Sequence, residues 1–169
     1  LFFRPGAWSA SPQHSAEWNR GAYLVLGAAH CGACHGARNL LGGQWSGGFG
    51  GGLLPAQAWY APSLQRTDEA SVAEWPVDEI VSLLRDGVAP QGRVSGPMAE
   101  VVQHGTQHLP EADLRAMAVY LKSLPVLPSR RSAAKPEVDK ARFQRGQALY
   151  ADHCAACHGK AGEGGLTAQ

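Results

Sequence analysis

The sequence predicts an all-α chain with long connecting loops, on three observations. Apolar residues recur at helical spacing in separate stretches of the 169 residues. Glycine and proline, at 21 and 11 residues, exceed their ordinary share, so loops take a large part of the chain. Four cysteines fall into two copies of one five-residue pattern ending in histidine, which offers a loop-rich protein an extra means of holding together.

Each element has its own signal. Residues 15–29 predict a first amphipathic helix, with Ser15 as N-cap, Glu17 in the first turn, and Trp18, Tyr23, Leu24, Val25 and Leu26 at helical spacing. Seven of the residues in 42–52 are glycine, with Trp45 and Phe49 between them, which no regular helix accommodates. Pro76 opens a helix running to Asp86, with Val77, Ile80, Val81 and Leu84 on one face and Gly87 just past its end. A last strong helix starts at Pro110, carries Leu114, Met117, Ala118, Leu121 and Leu124, and stops at Pro125. The following stretch has three prolines, three basic residues and no apolar periodicity, the composition of a semi-rigid linker.

Composition narrows the class. With 44% apolar and 17% charged residues the chain can bury a core and is not intrinsically disordered. A net charge of +1 with scattered Lys and Arg excludes nucleic acid as the main partner. No apolar run reaches the roughly 18 residues that cross a bilayer, and no signal-peptide pattern is present. Leu1, Phe2 and Phe3 before Arg4 read either as the trailing edge of a membrane segment or as a frayed terminus.

The cysteines stand in Cys31-Gly32-Ala33-Cys34-His35 and Cys154-Ala155-Ala156-Cys157-His158. Cys-x-x-Cys alone fits half a zinc site, a thioredoxin-like redox pair or a tight disulfide. A four-thiolate zinc site would close a loop over residues 35–153 and leave both histidines without a role. A thioredoxin-like pair needs a strand before it and a helix after it, whereas a helix precedes Cys31 and a glycine-rich loop follows His35. A c-type haem needs two thiols, one for each vinyl group, and an adjacent imidazole for the iron. The chain supplies that set twice. Two covalent haem c sites are therefore expected, anchored by Cys31, Cys34, Cys154 and Cys157, with His35 and His158 as iron ligands. The glycine loop then either wraps a haem edge or is a flexible surface insert.

The chain also repeats itself. Trp18-Asn19-Arg20-Gly21 before Cys31 has its counterpart in Phe143-Gln144-Arg145-Gly146 before Cys154, with two residues fewer between glycine and cysteine. The second copy runs only a short way past His158. The expected organisation is a tail over 1–14, a first domain over 15–125, a linker over 126–137 and a truncated second domain over 138–169.

On these residues the sequence resembles the class I cytochrome c fold, and more narrowly the multihaem cytochrome c subunits of membrane-bound bacterial dehydrogenases for alcohols, aldehydes and gluconate. The resembling stretches are Trp18 to Leu24, the Cys31 to Gly36 motif, Trp59-Tyr60-Ala61-Pro62, Gly96-Pro97-Met98 and Asp113 to Leu121. The resemblance implies a methionine as sixth iron ligand, in a loop before the closing helix. Met98 fits that place, whereas Met117 lies on the apolar face of the closing helix and reads as core. It further implies that Gly21 and Gly146 lack side chains where the first helix of each copy crosses its last, with Tyr120 as the aromatic partner of Gly21. Trp59, Tyr60 and Arg93 become candidates for bonding a haem propionate. Ser63 follows Pro62 where the family often has asparagine. The remaining histidines are candidates for bis-His ligation or for no iron role: His30 and His153 are expected as caps or in solvent, His14 in solvent, and His104 and His108 lie near Met98 as competitors for the iron. No residue after His158 looks able to complete the second iron, and in the family a third haem domain commonly follows.

The expected function is electron transfer from a dehydrogenase catalytic subunit to quinone or a terminal acceptor. The expected location is the periplasm, at the outer face of the cytoplasmic membrane, with association through the complex or an N-terminal anchor. The alternatives are a dihaem enzyme of peroxidase or thiosulfate dehydrogenase type, and a free periplasmic carrier.

Overall fold

A computed structural model describes residues 6–39, 48–54, 57–129 and 138–164. Most of the glycine-rich loop, residues 42–47, lies outside the described residues, as does most of the expected linker. The chain falls into two compact units, residues 1–130 and 131–169.

The first unit begins with helix α1, Ala16–Tyr23, whose Ser15 side chain accepts from the Trp18 amide. The expected single helix over 15–29 does not continue as one. From Leu24 to Ala28 the backbone widens into a π-helix, and His30 adopts a left-handed φ of 39° before the short helix α2, Gly32–His35. Beyond α2 a pair of short antiparallel strands, β1 (Gly52–Leu54) and β2 (Trp59–Ala61), is joined in register Leu53 to Tyr60. Helix α3, Val77–Asp86, starts directly after Pro76 and ends on Gly87 at φ 74°, as its sequence signals required. A second strand pair, β3 (Val88–Ala89) with β4 (Gly92–Arg93), follows. Mainly helical architecture thus holds, with two short strand pairs added to the all-α expectation.

Helix α4, Pro97–His104, is a correction to the sequence reading, which placed Met98 in a loop. Gly96 turns the chain at φ 52° and Pro97 occupies the first turn, where its missing N–H costs nothing. Met98 therefore sits at the start of a helix. A short 3-10 turn, Thr106–His108, leads to helix α5, Glu111–Lys122. That helix stops three residues before Pro125, where the Ser123 hydroxyl donates to the Tyr120 carbonyl. The Leu127 amide donates to the Gln65 carbonyl, so the start of the expected linker is tied to the first unit.

Helices α1, α3 and α5 enclose the core. Ala22, Val25, Phe49, Ile80, Leu114, Met117 and Ala118 are almost wholly buried in it, which settles Met117 as a packing residue. Gly21 makes the close crossing possible. A Cβ there would lie 1.9 Å from the Ala116 carbonyl oxygen and 2.9 Å from Tyr120 Cβ, so the nearest obstacle is the α5 main chain, ahead of the expected tyrosine. Arg20 pairs with Asp113 through bonds of 2.8 and 2.7 Å, and Trp18 Nε1 donates to Ser123 Oγ at 2.7 Å along the same seam.

The second unit has α6 (Lys140–His153) and α7 (Ala155–His158). The Asp139 carboxylate caps α6 by accepting from the Ala141 and Arg142 amides. No α6 residue is buried, and a Cβ on Gly146 would meet nothing within 4 Å. The helix crossing expected at Gly146 is therefore not formed among the described residues. No helix among the described residues is long and apolar enough to cross a membrane.

Candidate functional site

The first site is built where the π-helix delivers the chain into α2. Cys31 is half-buried and packs against the core cluster, whereas Cys34, one helical turn on, is exposed; neither is in a disulfide. Burial pushes the Cys31 thiol up to about 11. His35 ends α2. Its Nδ1 lies 2.8 Å from the Pro62 carbonyl oxygen. A carbonyl only accepts, so Nδ1 carries the hydrogen and Nε2 keeps its lone pair. Burial lowers the value at which the ring gains a proton, opposed by the bond to Pro62, so the imidazole stays neutral and able to ligate a metal.

Several contacts fix that arrangement. The Gly51 amide donates to the His35 carbonyl at 2.8 Å, and Leu64 donates to Phe49 O at 2.9 Å, stitching the motif to the strand-bearing segment. Gly51, at φ 76°, passes so near that a Cβ would sit 2.7 Å from the Ser63 amide nitrogen. Ser63 itself is fully buried; its hydroxyl donates to Phe49 O and accepts from the Gln65 amide.

Trp59 and Tyr60 lie on β2, immediately before Pro62, and both rings are about half exposed. Trp59 rests against Gly96, whose Cβ would fall 2.5 Å from a ring carbon, and so reaches the turn that carries Met98. Met98 is half-buried against the same core cluster as Cys31. Cys31 and Met98 thus pack on one core cluster, and Trp59 touches the turn before Met98. The Tyr60 hydroxyl donates to Glu69 Oε2 at 3.0 Å. Arg93 is exposed on β4 and lines an open cavity of about 520 Å³ with Arg85, Val102 and Gln107.

Of the other histidines, His30, His104 and His108 are exposed, and His108 Nε2 lies 3.2 Å from the Gln103 carbonyl. His14 stacks on Trp18 at 3.7 Å, a packing role beyond the solvated one expected. Among the described residues no three His, Cys, Asp or Glu side chains converge to hold a metal ion. The donor set fits a c-type haem: unpaired thiols, a neutral imidazole with Nε2 available, and exposed apolar side chains on the strands, Leu53 at 60% among them.

In the second unit Cys154 is half-buried, Cys157 and His158 are exposed, and both thiols are unpaired. The Gly164 amide donates to the His158 carbonyl at 2.8 Å, as Gly51 does to His35. The Tyr150 hydroxyl donates to Gly159 O at 2.7 Å and ties the end of the motif back to α6. No carbonyl among the described residues takes the place that Pro62 takes for His35.

Sequence reasoning missed the Pro62 carbonyl as the partner of His35, and missed Glu69 entirely, because neither residue has a spacing signature.

Residues 143–168 match the family model for cytochrome c. Over 162 residues, 93% of this chain, the sequence is 39% identical to a nicotinate dehydrogenase subunit of Pseudomonas putida, of which it covers 13%. It is 34% identical over 172 residues to the fructose dehydrogenase cytochrome subunit of Gluconobacter japonicus, covering 89% of this chain and 35% of that protein. Similarity at 34% identity extends over 161 residues to the cytochrome c subunit of the quinone-dependent alcohol dehydrogenase of Gluconobacter oxydans, covering 88% of this chain and 34% of that protein. The chain thus spans about a third or less of the length of these relatives.

Proposed function

The chain contains a cytochrome c domain, and from that premise we propose that it relays single electrons from a dehydrogenase catalytic subunit toward quinone or another terminal acceptor. A c-type haem, when bound, supplies a reversible one-electron iron couple. The protein supplies attachment, axial ligands and burial. Cys31 and Cys34 would hold the first haem covalently, and His35 Nε2 and the Met98 thioether would ligate its iron. Cys154, Cys157 and His158 would hold a second. The class I cytochrome c arrangement, with one domain over 15–125, a linker over 126–137 and the start of another over 138–169, belongs to the same proposal. So do a location at the periplasmic face of the cytoplasmic membrane, membrane association through the complex or an N-terminal anchor, and propionate contacts from Trp59, Tyr60 and Arg93.

The observation that carries the reading is His35: a neutral imidazole directly after two unpaired thiols, its Nδ1 hydrogen committed to Pro62 and its Nε2 left for a metal. A thioether ligand would raise the potential relative to a second imidazole, which suits acceptance of electrons from a dehydrogenase.

Absorption spectra of the purified protein in both oxidation states test the site. Two covalent haems per chain are expected, with a weak long-wavelength charge-transfer band in the ferric state that disappears in Met98→Ala. Survival of that band in the variant overturns Met98 as ligand. Co-purification with a larger dehydrogenase subunit is the expected result for the partner, and robust peroxide turnover by the isolated chain would overturn the relay in favour of a dihaem enzyme.

A further inference from the structure

Pro62 and Ser63 share one peptide group, and both of its polar ends are committed. At one end the carbonyl oxygen accepts the hydrogen of His35 Nδ1 at 2.8 Å. At the other the Ser63 N–H donates to Glu69 Oε2 at 2.6 Å, a short bond to a carboxylate. The C=O and N–H of a trans peptide point in opposite directions, so carboxylate, peptide and imidazole form a series of three groups linked by two hydrogen bonds.

We infer that Glu69 is a positioning and tuning residue for the His35 imidazole, acting through the Pro62–Ser63 peptide group. The inference rests on the proposal above that His35 binds haem iron. Hydrogen bonds in series polarise one another inside a protein. Negative charge at the N–H end of the peptide increases electron density at its carbonyl oxygen, which strengthens the pull on the Nδ1 hydrogen. An imidazole so held is a more basic ligand through Nε2, the role that partners outside the coordination sphere play at metal sites. A more basic ligand favours ferric over ferrous iron, so Glu69 lowers the potential of the first haem.

The surroundings suit that task. The Glu69 side chain is only 17% exposed, so water screens its charge poorly. Tyr60 donates to the same oxygen, and Arg66 Nε stands 3.9 Å from the other. The Ala70 amide donates to Ser63 O at 3.1 Å, closing the turn that carries Glu69 onto the segment it grips. Sequence position gives no hint of this, since Glu69 is far along the chain from Cys31-x-x-Cys34-His35.

The test uses the haem-loaded chain and Glu69→Gln, which keeps the side chain's shape and an acceptor oxygen but removes the charge. The control is Glu74→Gln, the same charge change on an exposed residue. A redox titration is followed by NMR on the haem resonances assigned through His35. The expected result is a shift of about two- to tenfold toward ferrous iron in Glu69→Gln, tenfold being 59 mV for a one-electron couple. The His35 Hδ1 resonance of the ferrous protein should move upfield, and the control should do neither. An unchanged potential in Glu69→Gln, with a normal haem spectrum, overturns the inference and leaves the haem reading intact. Absence of covalent haem from the wild type overturns both. Should the variant fail to mature, the ferrous wild type still decides: a Ser63 amide proton at unusually low field supports the series, and an ordinary amide position overturns it.

Discussion

Replacing Gly21 with alanine should loosen the first unit by an amount that its geometry allows one to work out. The added Cβ would stand 1.9 Å from the Ala116 carbonyl oxygen, a gap that must open to at least 3.0 Å, so α1 and α5 must part locally by 1.1 Å or more. The obstacle is main chain and cannot rotate aside as a side chain would. Forcing extra volume into a packed interface costs about 1–3 kcal/mol, and the rigid obstacle argues for the upper end. Alanine's higher helix propensity returns about 1 kcal/mol, leaving a net loss of about 2 kcal/mol. At roughly 2–4 °C per kcal/mol for a chain of this size, Tm should fall by about 4–8 °C. Gly146→Ala is the matched comparison, because its Cβ would meet nothing within 4 Å and the propensity gain stands alone. Thermal unfolding of the haem-loaded chain, followed by far-ultraviolet circular dichroism, should therefore show opposite changes for the two variants. A Gly21→Ala variant as stable as the wild type, or an equal fall in Gly146→Ala, would refute the crossing argument.

Leu114→Ala removes a fully buried side chain between the core helices and should cost about 2–5 kcal/mol in urea unfolding, with an unchanged midpoint excluding Leu114 from the core. Gly96→Ala meets two obstacles, a φ of 52° and a Cβ 2.5 Å from the Trp59 ring; it should lower stability by about 1–2 kcal/mol or more and weaken the charge-transfer band assigned to Met98, and an intact band would separate Trp59 from the Met98 turn. Asp113 titrates below its ordinary value because Arg20 hydrogen-bonds its charged form, so its contribution is fully present above pH 3.8 and is lost as pH falls through the lower folded value. Unfolding midpoints of wild type and Asp113→Asn should thus differ modestly at neutral pH and converge in strong acid, and a gap that persists there would contradict the pairing.

The parts of the fold that sequence revealed are those with redundant local signals. Helix α3 combines Pro76, an apolar face and Gly87, and helix α5 combines Pro110 with a long apolar stripe; both were readable to within a few residues. Helix α4 was not, because Pro97 to His104 buries only Val102 and so shows no stripe. The strand pairs are two or three residues long, too short for alternation to register. At the site, the thiols and imidazole are bound to one another by covalent spacing and were legible at once. Pro62 and Glu69 act across the fold through a backbone carbonyl and a carboxylate, and nothing in a linear pattern marks such a pair. Arg93, suggested by resemblance, stands exposed on β4 beside an open cavity.

The π-helical stretch between Tyr23 and Ala29 bears on how a repeated unit tolerates length change. An α-helix advances 100° and 1.5 Å with each residue, so the two extra residues of the first copy, carried in regular helix, would swing its cysteines about 200° around the axis. Instead the wider π turn and the left-handed His30 take up the surplus between a fixed crossing at Gly21 and a fixed motif at Cys31. The segment works as a mechanical coupling with adjustable phase. The two added residues are thus spent locally, and the thiols of the first copy still come to the place where His35 meets Pro62.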